Sequence, residues 1–194
     1  MAGAAPPIPD FDPGVPLSGP DHSRALGALL GAGTGYLARF DDTRFFAPQG
    51  TAWSPAIHVR HLRKTTQPFT LALGLPRWPL ALCFGRGSGV SRSYEAIRET
   101  YRATLAGGLQ AGLFTPRPEA TPVVPALRRQ EIMAGWAAAT VAVQHALTRW
   151  SEAALDRYRL PHPVLGSLTV QEMASFTVYH TSHHLRRIAE RAGG

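Results

Sequence analysis

The chain has almost no cysteine, almost no lysine, and no apolar run long enough to cross a bilayer. Its single cysteine, Cys83, excludes an intrachain disulfide and fits a reducing compartment, with the cytoplasm as the expected location. Cys83 lies in the apolar stretch 80–84, so packing is expected of it rather than nucleophilic chemistry. Lys64 is the only lysine among twenty basic residues. The arginines are scattered, and only Arg128-Arg129 and Arg186-Arg187 are adjacent. The net charge of +7 therefore reads as solvated surface, because nucleic-acid binding needs a basic stripe and a reading module. Residues 1–20 carry no basic side chain and no apolar core segment, so no secretory signal is expected. The nucleophile elbow of serine hydrolases is missing. Gly31–Gly35 and Gly85–Gly89 lack both the Gly-Lys-Ser/Thr ending and the preceding strand of a phosphate loop, so a turn or a close helix contact is expected there. No alternation of apolar and polar residues marks a strand.

Helical spacing, by contrast, recurs along the chain. The 44% apolar and 17% charged content is that of a globular protein, and 194 residues suffice for one domain with a core. Residues 1–20 hold six prolines and are expected to form an extended, poorly ordered lead to a single domain over 21–192. Leu26, Leu29, Leu30, Leu37 and Phe40 space out a first helix, which Gly27, Gly31, Gly33 and Gly35 weaken. Ser54-Pro55 is a helix start, with serine as cap and proline in the first turn. That helix is expected to reach Thr66 and to kink or end at Pro68. Segments 74–92 and 107–125 are expected to be long loops. Ser93 can cap a helix through Leu105. Ile132, Trp136, Val143, Leu147, Trp150 and Leu155 predict a long helix over 126–158, with both tryptophans in the core. After a break at Pro161-His162-Pro163, Thr169 and Glu172 form a capping box for a last helix running toward Arg191. Long helices with irregular connections imply an all-α protein, a helical bundle whose sites are built from facing helices.

Histidine supplies the chemistry. Three of eight histidines fall within 180–184. His180 and His184 are one helical turn apart and share a face, which makes a clamp for a divalent metal. On a helical wheel the pair flanks the apolar side formed by Val170, Met173, Ala174, Val178, Leu185 and Ile188, while His183 points farther toward solvent. A third ligand from His58 or His61 would complete a three-histidine site with an open position. Periodicity does not choose between these two. His22, His145 and His162 have no partner in sequence and are read as structural.

Two segments and their order resemble the DinB-like superfamily, which includes the DinB and YfiT-type four-helix bundles. The first is Trp53-Ser54-Pro55 followed by His61-Leu62. The second runs from Gly166 through Thr169-Val170-Gln171-Glu172 into His180, His184 and Ile188. The likeness covers roughly residues 20–192. It implies one divalent ion, zinc or nickel, held by His61, His180 and His184, with His58 and His183 left as supporting or rim residues. It also implies a homodimer, for which Trp150 or Tyr158 is a candidate contact. The activity implied is that of a metal-dependent hydrolase or thiol transferase acting on a small-molecule thiol or hydrolysable substrate. Two alternatives stand beside it: a non-catalytic protein tied together by its metal, and, from the charge, a nucleic-acid-associated stress protein. The inserts at 74–92 and 107–125 are expected to shape the mouth of the pocket.

Overall fold

Four long helices pack as a closed square in the computed structural model, which describes residues 9–48, 50, 52–108, 112–117 and 122–192. They are α1 (Gly19–Leu37), α3 (Pro55–Gly74), α6 (Pro125–Leu147) and α8 (Val170–Ala192). Helix α1 packs on α6 and α8, and α3 packs on the same two from the opposite side. Among the described residues, four shorter α-helices connect them, α2 (Asp42–Phe46), α4 (Arg77–Phe84), α5 (Tyr94–Ala106) and α7 (Glu152–Arg157), with a 3-10 turn at Gly112–Phe114. The all-α bundle expected from the periodicity is what forms. No described helix is long and apolar enough to cross a membrane.

The caps read from sequence are made. Ser54 Oγ accepts from Ile57 N at 3.3 Å and starts α3. At the start of α8, Glu172 N donates to Thr169 Oγ1 at 3.1 Å while Thr169 N donates to Glu172 Oε2 at 3.0 Å, a reciprocal box. Arg92 also grips Glu172, donating to Oε1 from both its backbone N and Nε at 2.9 Å. These bonds hold the Glu172 carboxyl below its ordinary pKa against the opposing effect of burial.

Several elements differ from expectation. Helix α3 runs through Pro68 to Gly74. Proline removes one backbone donor there, but Phe69 and Leu73 beyond it are buried, and their packing offsets the lost bond. Trp150 Nε1 donates to Leu73 O at 3.1 Å, satisfying a carbonyl in the last turn of α3. Segment 74–92 contains α4; Pro79 lies in its first turn, where the backbone N–H has no intrahelical partner to lose. The helix expected over 126–158 is two helices. Helix α6 stops at Leu147, the chain turns through Trp150, and Ser151 in extended conformation precedes α7. Beyond α7, β1 (Arg159–His162) and β2 (Gly166–Thr169) pair antiparallel. Four residues per strand are too few for alternation to stand out, and Pro161 hid the rest.

Two further expectations change. Cys83 is exposed on α4 rather than packed. Trp150 and Trp136 are core residues, as expected, and Trp150 lies edge-on to Tyr158 at 5.7 Å. Within the proline-rich lead, residues 1–8 lie outside the described residues. Phe11 is buried in the core against Tyr36, and its carbonyl accepts from Ser182 Oγ at 2.6 Å, so from there on the lead is anchored.

Gly33 of α1 has a packing reason, whereas a Cβ on Gly31 or Gly35 would meet nothing within 4 Å. A Cβ on Gly33 would sit 2.7 Å from Trp136 Cη2 and 2.9 Å from Leu185 Cδ2. The missing side chain is what lets α6 and α8 approach α1 together. Gly33→Ala is therefore expected to destabilise the fold by roughly 1–3 kcal/mol, despite alanine's better helix propensity. Denaturant unfolding measures this, and a stabilised Gly33→Ala would show that α1 is free to shift.

Candidate metal centre

The capped start of α3 sets His58 and His61 in its first two turns, and α8 carries His180 and His184 one turn apart. All four are buried, at 6%, 3%, 4% and 7% exposure. The wheel placed His180 and His184 at the margin of a half-exposed helix. Instead α8 is covered by α1, α3, α5, α7 and both strands, so as far as Leu185 its polar face is interior as well.

The structure brings His61, His180 and His184 together. One nitrogen from each lies within 4.8 Å of the others. His180 Nε2 is 3.2 Å from His61 Nε2 and 3.1 Å from His184 Nε2. Two nitrogens each about 2.1 Å from one tetrahedral zinc stand roughly 3.4 Å apart, so the spacing fits a single small divalent ion. Imidazole donors of this kind suit divalent transition metals. His58 stands on the other side of His184, with Nδ1 2.8 Å from His184 Nδ1. His183 is half-buried and contacts the rings of Tyr101, Tyr179 and His184.

The surroundings aim and enclose these rings. His61 Nδ1 donates to Phe114 O at 2.9 Å, which leaves its Nε2 lone pair facing His180. That carbonyl is held in place from α3. Lys64 Nζ donates to Thr115 O at 3.3 Å and Arg60 Nη1 to Arg117 O at 3.0 Å. Sequence gave no hint of this contact, because a backbone carbonyl in a loop has no residue signature. Trp53 covers one side of the site. It lies edge-on to His58 at 5.4 Å and to His61 at 5.1 Å, and parallel to His184 at 6.0 Å. On another side Phe176 stacks on His180 at 5.0 Å and Tyr101 meets it edge-on at 5.9 Å. Neither had been singled out in the sequence, since aromatic residues at helical spacing look like any core residue.

Burial is the largest cause of every pKa shift in the group. It drives His58 down to about 3, His180 and His184 well below the ordinary value, and His61 downward against the opposing Phe114 carbonyl. The rings are thus neutral at neutral pH, with lone pairs available for a cation.

The remaining histidines match the structural reading where they are packed. His22 Nδ1 donates to Ser18 O at 2.6 Å, and its Nε2 pairs with Ser175 Oγ at 2.9 Å. His162 Nδ1 accepts from Val164 N and Leu165 N, clasping the hairpin turn. Segment 85–92 is pinned to the α7 and hairpin end, through Gly87 N to Arg157 O, Ser91 to Asp156 and Arg92 to Glu172. Glu172 is eight residues before His180, about 12 Å along the helix. Of the two inserts, it is 107–125 that reaches the histidines, through Phe114. Residues 109–111 and 118–121 of that insert lie outside the described residues. A cleft of about 430 Å³ at the end of α8 is lined by Arg44, Ala47, Pro48, Gly50, Arg191 and Ala192, and by none of the histidines.

The family model for the DinB superfamily matches residues 35–188, most of the chain and both histidine helices. The chain belongs to the DinB superfamily. No curated protein and no solved structure matches it. Membership and the buried three-histidine cluster of this DinB-superfamily protein together fit metal binding.

Proposed function

We propose that this DinB-superfamily protein holds one zinc or nickel ion on His61, His180 and His184, and uses it in hydrolysis or in thiol transfer. The observation that carries the reading is the convergence of three buried, neutral imidazole nitrogens within 4.8 Å. No carboxylate belongs to that cluster among the described residues. The ligands would then add no negative charge, and the ion would keep its full charge toward a substrate. When bound, the ion supplies Lewis acidity, which lowers the pKa of a thiol or a water. The chain's own part is to present three lone pairs, to orient His61 through the Phe114 carbonyl, and to keep bulk water away with Trp53 and Phe176. We extend the reading to a cytoplasmic homodimer. Exposed Leu71, Leu75, Trp78 and Leu82 offer apolar surface on α3 and α4 for such a contact.

The depth of the cluster supports a second reading, a closed structural ion that only ties α3 to α8. One experiment separates the two. Protein purified without an affinity tag should contain about one equivalent of metal, and cobalt should replace it. An added thiol should then produce a sulfur-to-cobalt charge-transfer band whose apparent affinity rises with pH, because the thiol binds as thiolate. Cobalt bound with no thiol response would mean a closed, structural centre. Absence of stoichiometric metal would remove both readings.

A further inference from the structure

We infer that His58 is a positioning residue for the metal centre: it accepts the Nδ1–H of His184 and so keeps the Nε2 lone pair of His184 turned toward His61 and His180. The inference rests on the metal reading for its functional sense. The proton arrangement itself is a property of the metal-free protein.

His58 Nδ1 and His184 Nδ1 are 2.8 Å apart, so one donates and the other accepts. Both rings are buried, and Trp53 packs against both. Hydrogen-bond accounting across the four rings selects the donor. His61 donates from Nδ1 to Phe114 O, so its Nε2 is bare. His180 Nε2 is close to that bare nitrogen, at 3.2 Å, and to His184 Nε2, at 3.1 Å. If His184 donates from Nδ1 to His58, its Nε2 is also bare. A single proton on His180 Nε2 then serves both neighbours, and every contact has its hydrogen. If His58 donates instead, His184 carries its proton on Nε2 and gives it to His180 Nε2. Two bare nitrogens, those of His180 and His61, would then face each other at 3.2 Å with no proton between them. Only the first arrangement places a hydrogen in every one of these contacts. His58 is thus the acceptor, and its own proton sits on Nε2.

The same geometry keeps His58 from being a ligand in place of His184. It approaches the ring nitrogen that points away from the trio. Its effect is indirect: it sets the tautomer of His184 and the orientation of that ring, the part an orienting hydrogen bond plays behind a metal-bound imidazole.

The test uses two variants and a readout that needs no metal. Nitrogen-15 NMR of the metal-free wild-type protein should show His184 protonated at Nδ1 and bare at Nε2. His58→Asn keeps an acceptor oxygen close to the position of Nδ1, whereas His58→Leu keeps bulk and loses the acceptor. Zinc affinity, measured by competition with a chelator, should fall about 10–100-fold in His58→Leu and largely recover in His58→Asn. His184 protonated at Nε2 in the wild-type protein would overturn the inference. So would His58→Leu binding zinc as the wild type does. If His58→Leu does not fold, the wild-type tautomer and the affinity of His58→Asn decide. If the wild type binds no metal, the metal reading fails, and the tautomer of His184 still answers for His58.

Discussion

Alanine at His180 is expected to lower metal affinity by more than about a hundredfold, beyond the range for an orienting partner, and to leave the helical fold in place. His180 is the central member of the trio, because its Nε2 lies within 3.2 Å of His61 Nε2 and 3.1 Å of His184 Nε2. His61→Ala and His184→Ala remove one ligand each and belong in the same series. His58→Ala should lose less, since it takes away an orienting acceptor and not a donor to the ion. His162→Ala is the control: a half-buried histidine of the hairpin turn that should leave metal content unchanged. Metal content and chelator competition measure the whole series. Equal retention of metal in the three ligand variants would sink the site assignment. A loss in His58→Ala as deep as in His61→Ala would mean that α3 presents a different histidine in solution.

Acid should unfold the metal-free protein well above the pH at which carboxylates titrate. Burial holds His58 at about 3 and both His162 and His183 at about 4, from an ordinary value of 6.5. His22, His61, His180 and His184 are lowered too, in each case with burial as the first cause. Below pH 6.5 the unfolded chain takes up protons that the folded chain refuses, so stability falls as pH falls, down to the folded-state values. The three groups with stated values alone cost about 5 kcal/mol between pH 6.5 and 5, at about 1.4 kcal/mol per proton per pH unit. That approaches the whole stability of a small domain. Circular dichroism of metal-free protein should show an unfolding midpoint near pH 5. Zinc should move the midpoint lower until protons displace it. A folded, metal-free protein whose stability is flat from about pH 7 to 4.5 would contradict the burial of these rings.

Sequence made legible the features that arise within a turn or two of chain. The Ser54-Pro55 start, the Thr169–Glu172 box and the pairing of His180 with His184 are interactions at separations of three or four residues. The family resemblance on the same segments pointed to the DinB superfamily and to the bundle. Errors arose where a local rule met packing. Pro68 is a helix breaker by itself, yet Phe69 and Leu73 hold α3 together past it. The pattern over 126–158 is helical throughout, yet Trp150 turns inward to reach Leu73 O and splits it. Gly33 looks like weakness until Trp136 and Leu185 are seen against it.

By itself, then, the sequence determined that two capped helices would each carry a histidine pair, because helical geometry ties residue spacing to a shared face. Helical spacing did not determine which of His58 and His61 meets His180, a choice that the family resemblance made, nor that α8 would be buried nearly all round as far as Leu185. Only the tertiary structure decided that His61 faces His180 across 119 residues of chain and takes its tautomer from Phe114 53 residues away. It also decided that His58 stands behind His184, 126 residues on. The physical reason is one of range: a helix wheel records direction about one axis, whereas a metal centre is a set of distances among atoms on different axes. Those distances exist only after α3, the Phe114 loop and α8 have packed.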